Sequence, residues 1–589
     1  MKDIRNLNFS DVQQTVASHE GQYPQTLKLA FLRNIVVEPI EPYLAYLALQ
    51  LECSLDASFG GYDTVLQDAL SGLGGGINNE TDAILIFYHL DQSSQFLSRR
   101  FATLSYDQIN EEVQNTLNYV FTVIKSIRKH SSALVLWHSF EYQPFPAFGA
   151  VDFSMADGQN NTIARLNEGI RDFLASDRWA KLIDMNAIII RMGVDRFYDR
   201  RNWHLAKSPY SLEALSEIAL ENFRLIRAVR GGGYKCVVVD CDNTLWGGVI
   251  GEDGIGEIKL GTTFPGSAYR EFQQELVNLH HLGVLVALSS KNNPEDVWNV
   301  FDTHDGMILK REHVVAHRLN WDDKADNIIS IAKQLNIGLD SIVFIDDSVF
   351  EIERVRRSLP EVATLHFDSK KPHEYRHALL KAGFFDLLYR TSEDRERTNL
   401  YRAEEKRQAE LHTAEDVEAF LSTLELRAHV AEISMDIIPR VAQLTQKTNQ
   451  FNLTTRRYSE DDIISFHESE DYQILSVFLD DKFGSYGMIG VCILKYSSQN
   501  ILIDTFLLSC RALGRNVEDV MLWTIMKIGK QKVMSKIIGD YIPSKKNAQV
   551  ANFYQSHGFN SCEDKLVFDL SNNHIEIPHY ISVTYSISK

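Results

Sequence analysis

The sequence predicts a multidomain α/β protein. Two observations lead there: apolar, strand-like runs alternate with amphipathic helical stretches through roughly the first two thirds, and in the remainder most strand-like runs come before the helices. Strands alternating with helices mark a largely parallel, doubly wound sheet, whereas strands first and helices later describe an α+β domain.

In chain order, residues 1–228 read as one α/β domain. LKLAFL (27–32), DAILIFYHL (82–90), SALVLWHSF (132–140) and NAIIIRMG (186–193) are expected as buried strands, with amphipathic stretches at 106–129 and 159–177 between them. The run Gly231-Gly232-Gly233 marks a turn into a second domain, 229–375. There KCVVVD (235–240), VLVALSS (284–290), MILK (307–310) and SIVFID (341–346) read as strands, and helices are expected near 267–282, from Pro294 and near 323–336. Residues 376–421, with the densely charged SEDRERTNLYRAEEKRQAE, read as a solvated helical connector. In the last segment, 422–589, strands are expected near 424–432, 472–480, 485–496, 500–508, 535–541 and 564–569, and helices near 516–530 and 547–556.

Composition narrows the function classes. Sixty basic against seventy-nine acidic side chains give a formal charge of −19, which argues against non-specific binding to nucleic acid or to an anionic membrane surface. The start, MKDIRNLNFSDVQQ, lacks the apolar core of a signal peptide, and no run reaches the ~18 apolar residues of a membrane span. The six cysteines are scattered without a CxxC pair, a pattern that fits a reducing, cytosolic address.

The chemistry concentrates in VVVDCDNTLWGGVIGEDG. An apolar strand ends in Asp240, and Asp242 follows two positions later, at the sheet edge where doubly wound folds bind ligands. Asp240 is placed to ligate a cation and attack phosphorus; Asp242 is placed to protonate the leaving group and then to activate water. Two such close carboxylates call for a hard, oxygen-liganded cation, Mg²⁺. Two further strands end in complementary groups: Ser290, a donor for phosphoryl oxygens, and Asp346 with Asp347, carboxylates able to complete a metal shell. Lys324 opens a helix between them and offers positive charge to the transferring group. Lys291 competes for that role, and Thr244, Lys291 and Asn292 are candidates for holding substrate.

Asp-x-Asp, Ser, Lys and Asp-Asp, in this order, are similar to the four motifs of the haloacid dehalogenase (HAD) superfamily. More narrowly, DCDNTLWGGVIGEDG, LSSKNNPEDV, LNWDDKADNI and FIDDSVFEIERVR resemble the FkbH family of glyceryl-activating enzymes. That resemblance implies a Mg²⁺-dependent reaction on 1,3-bisphosphoglycerate. The glyceryl group is loaded onto the phosphopantetheine thiol of an acyl carrier protein, the remaining phosphate is removed, and the D-glyceryl thioester feeds polyketide-type pathways. A thiol could hold the glyceryl unit in transit: Cys241, between the two aspartates, or Cys510, in SCRALGR. Strand alternation points Cys241 away from Asp240 and Asp242, towards a packing role.

The outer domains carry weaker likenesses. Arg511-Ala512-Leu513-Gly514-Arg515-Asn516 resembles the R/Q-x-x-G-x-G/A loop of the GNAT acyltransferase fold, where a helix N-terminus cradles the pyrophosphate of coenzyme A. Asn516 replaces the usual Gly or Ala. NAQVANFYQSHGF places Tyr554 at the position of that fold's frequent general acid. Such a groove, with Arg511, Gly514, Asn516 and Tyr554, could take a phosphopantetheine arm, and Arg456 and Arg457 could meet an acidic carrier protein. The first domain resembles an SGNH hydrolase only in outline. Arg33 and Asn34 stand where its nucleophile would be, and Arg201 stands three positions before His204 where its aspartate would be, so a non-catalytic role is expected. The competing readings are a simple phosphomonoesterase and a scaffold with a vestigial centre.

Overall fold

The computed structural model describes residues 3–230, 233–386, 417–448, 450–497, 499–509, 512–544, 547–562, 565–571 and 574–587. The chain is mixed α/β and divides into two compact units, one ending at Arg230 and one beginning at Gly231. Among the described residues no helix is long and apolar enough to cross a membrane.

In the first unit five strands, β1 (Gln25–Arg33), β2 (Cys53–Tyr62), β3 (Ala83–Phe87), β4 (Leu134–His138) and β5 (Ala180–Ile183), form an all-parallel sheet in the order β2-β1-β3-β4-β5. The central strands β3 and β4 are buried at every position, which is why they read as continuous apolar runs. The helix Tyr106–Ile127 begins in a capping box between Ser105 and Gln108. One expectation fails: 186–193 is not a strand. Met185–Met192 is a helix started by the Asp184 side chain, which accepts from the Ala187 N–H. Met185, Ile188 and Met192 are buried and Ile190 is exposed, the spacing of a helix face. The strand lies just before it, as β5.

His138, which ends β4, is buried and stacks on Phe87 at 3.8 Å between ring centroids. Its Nδ1 meets the Ile86 carbonyl at 2.9 Å, and its Nε2 meets the Asn222 amide at 3.0 Å. Burial holds its pKa down to about 4. The folded value thus lies below the unfolded one, about 6.5, so the stabilisation is present above pH 6.5 and is lost as pH falls towards 4, by up to about 3 kcal/mol. Thermal melts should show the native chain losing more stability over that window than His138→Phe.

In the second unit, β6 (Cys236–Val239), β7 (Leu285–Ser290), β8 (Val314–Leu319), β9 (Ile342–Asp346) and β10 (Ala363–His366) form a second parallel sheet, ordered β10-β9-β6-β7-β8. MILK (307–310) is not a strand. The Ile308 and Leu309 N–H groups donate to the buried Gln273 side chain at 2.8 and 3.0 Å, and pairing with β7 passes to β8. The expected connector begins later than residue 376: Tyr375–Ala382 is a helix whose Tyr375 and Leu379 pack with Phe272, Phe367 and Phe385 in this core. Residues 387–416 lie outside those described.

Residues 417–587 hold a larger mixed sheet. β11 (Leu426–Glu432), β13 (Tyr472–Asp481), β14 (Gly484–Ser497) and β15 (Asn500–Leu508) pair antiparallel in sequence, and the short β12 (Phe451–Asn452) pairs with β15. The helix Val517–Gln531 then leads to β16 (Lys536–Gly539), parallel to β15. β17 (Asn560–Cys562) and β18 (Lys565–Asp569) extend one edge, and β19 (Ile581–Ser586) pairs with β11 at the other. In place of the helix expected at 547–556 stand a 3-10 turn, Ala548–Val550, and a short helix, Phe553–Ser556.

Candidate active site

The C-terminal edge of the β6–β10 sheet gathers the acidic groups. Asp240 follows β6, its N–H donating to the Ile345 carbonyl at 3.0 Å, and Asp346 ends the neighbouring β9. One carboxylate oxygen each from Asp240, Asp346 and Asp347 lie within 4.8 Å of one another. Lys324, the first residue of the helix Lys324–Gln334, reaches into this cluster: its Nζ lies 2.7 Å from Asp240 Oδ1 and 2.5 Å from Asp346 Oδ2. The Ser348 N–H donates to the other Asp346 oxygen at 2.8 Å.

Electrostatics follow from three carboxylates around one ammonium. Lys324 is 4% exposed and Asp346 fully buried. Burial works against the lysine's charge, but the charges of Asp240 and Asp346 override it and hold its pKa up. Burial, then the neighbouring Asp240 charge, pushes Asp346 up, and the same two causes bring Asp347 to about 6. The cluster carries more negative charge than its lysine offsets. Hard oxygen donors at this separation suit a hard divalent cation, which would supply the balance.

Asp242 departs from the expected ligand set. Its carboxylate lies outside the three that converge and is turned back onto its own loop. Oδ1 accepts from the Trp246 indole N–H at 2.9 Å and the Ile250 N–H at 3.0 Å; Oδ2 accepts from the Asn292 amide at 3.0 Å. The reversal needs Asn243 in the left-handed region, at φ 53°, with its side chain accepting from the Gly248 N–H. Burial raises the Asp242 pKa, against the lowering effect of those three donors. A carboxyl oriented by three donors beside the acidic cluster suits proton delivery better than cation binding.

The other expected residues sort by contact. Asn292 donates to Ser290 Oγ at 3.0 Å as well as to Asp242, so all three belong to one network. Lys291 pairs with Glu351 at 2.7 Å and not with the acidic cluster. Thr244 is buried, and its hydroxyl has no hydrogen-bond partner among the described residues. Cys241 is buried in the apolar cluster with Val237, Val239 and Leu245, and burial pushes its thiol well up. That is the environment of a packing cysteine, not of a nucleophile. Trp246 was missed by sequence reasoning. Its signal is a tryptophan four positions after Asp242, close enough for one turn to join them.

In the last segment Cys510 and Arg511 lie outside the described residues. Gly514 and Asn516 both have positive φ, 75° and 56°, and the Asn516 amide donates to the Tyr580 hydroxyl at 2.7 Å. The helix that follows carries Glu518 and Asp519 in its first turn, where a pyrophosphate would meet like charge. Tyr554 lies in the core rather than in a groove. It is 1% exposed, its ring fills the space beside Gly539, and its hydroxyl has no partner among the described residues. Tyr554→Phe is expected to change stability by less than about 1 kcal/mol, or to raise it, because it removes an unsatisfied polar group; denaturant unfolding reads this. Arg456 is bonded to Asp504, and Arg457 donates to the Gln446 carbonyl, so both side chains have partners within the domain.

No family model and no curated protein matches the chain. Among solved structures it resembles the N-terminal part of a Bacteroides fragilis protein containing a phosphatase domain, complexed with Mg. The two share 24% identity at a TM-score of 0.59, over 65% of this chain and all of that one, which shows a common fold. The ribosomal-protein-S18-alanine N-acetyltransferase of Escherichia coli aligns with 24% of this chain and 94% of its own, at 13% identity and TM-score 0.20. Ard1 of Thermoplasma volcanium aligns with 24% and 97%, at 15% and 0.19.

Proposed function

We propose that the second unit carries a Mg²⁺-dependent phosphohydrolase centre of HAD type, and that the full chain couples it to glyceryl transfer. The observation that carries the reading is the convergence of Asp240, Asp346 and Asp347 on one point with Lys324, while the Asp242 carboxyl is held apart by Trp246, Ile250 and Asn292. The Mg²⁺ recorded with the Bacteroides structure supports the choice of ion. Mg²⁺ held by Asp240, Asp346 and Asp347 would neutralise charge on the phosphoryl oxygens.

The chain's own residues supply the rest. An Asp240 oxygen attacks phosphorus, and the bond from phosphorus to the leaving oxygen breaks with its electron pair going to that oxygen. Asp242 gives its proton there, releasing an alcohol. Asp242, now a carboxylate, takes a proton from water, whose oxygen attacks phosphorus. The bond to Asp240 breaks, orthophosphate leaves, and both aspartates return to their starting states. Lys324 and the Ser290 hydroxyl stabilise the phosphoryl oxygens.

The finer reading rests on the FkbH-like motifs: 1,3-bisphosphoglycerate as donor, a holo acyl carrier protein as acceptor, and D-glyceryl thioester as product in a cytosolic, polyketide-type pathway. An acyl phosphate is already activated, so transfer to a thiol needs mainly positioning. The C–O bond breaks as C–S forms, and phosphate leaves with the thiol proton taken up by solvent. Incubation with 1,3-bisphosphoglycerate, Mg²⁺ and a holo carrier protein, followed by intact-mass measurement, tests it. A glyceryl mass gain on the carrier supports transfer. Phosphate release with an unmodified carrier leaves the second reading, a phosphomonoesterase of a small metabolite.

A further inference from the structure

From the hydrogen bonds around Asp242 we infer that Trp246 is a positioning residue that confines the transferable proton to Asp242 Oδ2. The inference rests on the phosphohydrolase reading and deepens it.

A carboxylate oxygen offers two in-plane lone pairs. On Asp242 Oδ1 both are taken, by the Trp246 indole at 2.9 Å and by the Ile250 N–H at 3.0 Å. Among the described residues Oδ2 receives only the Asn292 amide, at 3.0 Å, and keeps one site for a proton. The same Asn292 Nδ2 also serves Ser290 Oγ, at 3.0 Å.

Trp246 makes this arrangement one-sided. Without the indole N–H, Oδ1 would hold one donor and Oδ2 one donor, and the acidic proton would be shared between two oxygens pointing in different directions. A buried indole needs an acceptor in any case. What the structure adds is that the acceptor is the oxygen that must not carry the proton. Trp246 is fully buried, its ring packs edge-on against Phe301, and its backbone bridges to Asp242, so the N–H is fixed in place.

The transfer itself breaks the Asp242 Oδ2–H bond and forms an O–H bond on the departing oxygen, as phosphorus bonds to Asp240. A misdirected proton therefore matters only where the leaving oxygen needs one. An alkyl phosphate does; p-nitrophenyl phosphate, whose leaving group departs as a stable anion, does not.

The test is single-turnover release of the leaving group by the full chain with Mg²⁺, comparing an n-alkyl phosphate with p-nitrophenyl phosphate. Trp246→Phe is expected to slow alkyl release about 10- to 100-fold and p-nitrophenolate release less than about 3-fold. Equal losses on both substrates, as from a merely structural tryptophan, or no loss on either, overturn the inference. Should Trp246→Phe lose its cooperative melt, benzothienylalanine replacing Trp246 keeps the ring shape without the N–H, and the same contrast is required of it. A native chain that releases neither leaving group overturns the phosphohydrolase reading, and this inference with it.

Discussion

Replacing Asp240 with Asn is expected to reduce phosphate release by about 10⁴-fold or more, with little loss of stability. The amide is nearly isosteric, but its oxygen is neutral and is a poor nucleophile towards phosphorus. The same change removes one of the three converging carboxylates, and with it cation affinity, so both effects act in one direction. Stability responds differently. Lys324 keeps its bond to Asp346 at 2.5 Å, so the buried ammonium retains a counter-charge. Asp346 and Asp347 lose the neighbouring charge that helps to push their pKa values up. Relief of repulsion offsets the lost Lys324–Asp240 bond, and the thermal midpoint in chelator should move by no more than a few degrees. Phosphate release at near-native rate from a folded Asp240→Asn chain would remove the nucleophile assigned above. A chain that fails to fold would show that the Asp240–Lys324 bond is structural first.

The parts of this site legible in the sequence were those written into strand ends. Asp240, Ser290 and Asp346 each close an apolar run, so their shared edge follows once the runs are read as parallel strands. Lys324 and Lys291 competed for one role in the sequence, and the structure places the Lys324 ammonium on Asp240 and the Lys291 ammonium on Glu351. What could not be read was the direction of Asp242. Its carboxylate is set by a reversal that uses a left-handed Asn243 and returns the chain eight residues later at Ile250, and no periodicity encodes such a contact. Met307–Lys310 misled for a related reason. An apolar run was taken for a strand because nothing local shows that the buried Gln273 side chain would claim its N–H groups. The edge strands β2, β10 and β19 escaped because they are only partly buried, so apolar residues need not fill even one face.

Lys324→Met separates charge from packing at the same centre. Methionine fills much of the lysine's volume but leaves Asp240, Asp346 and Asp347 facing one another with no ammonium between them. Removing one partner of a buried ion pair costs about 3–5 kcal/mol. Part of that is avoided here, because the remaining carboxyls can take up protons. The sign of the pH dependence follows. The folded pKa values of Asp346 and Asp347, already raised, rise further above the unfolded value of about 3.9. The stability they allow is then complete below about pH 4 and is lost as pH climbs through the folded values. The deficit of Lys324→Met against the native chain, measured as thermal midpoint in chelator, should therefore be small near pH 5 and largest near pH 8. Mg²⁺ binds the folded cluster and not the unfolded chain. It should raise the midpoint of the variant more than that of the native chain, because it supplies the charge the lysine no longer does. Turnover should still fall about 10²- to 10³-fold with Mg²⁺ present, since the ammonium is also directed at the transferring phosphoryl group. An unchanged midpoint at pH 8 in chelator would mean that the three carboxylates do not depend on Lys324 for their balance, and the electrostatic account of the site would have to be rebuilt around another cation.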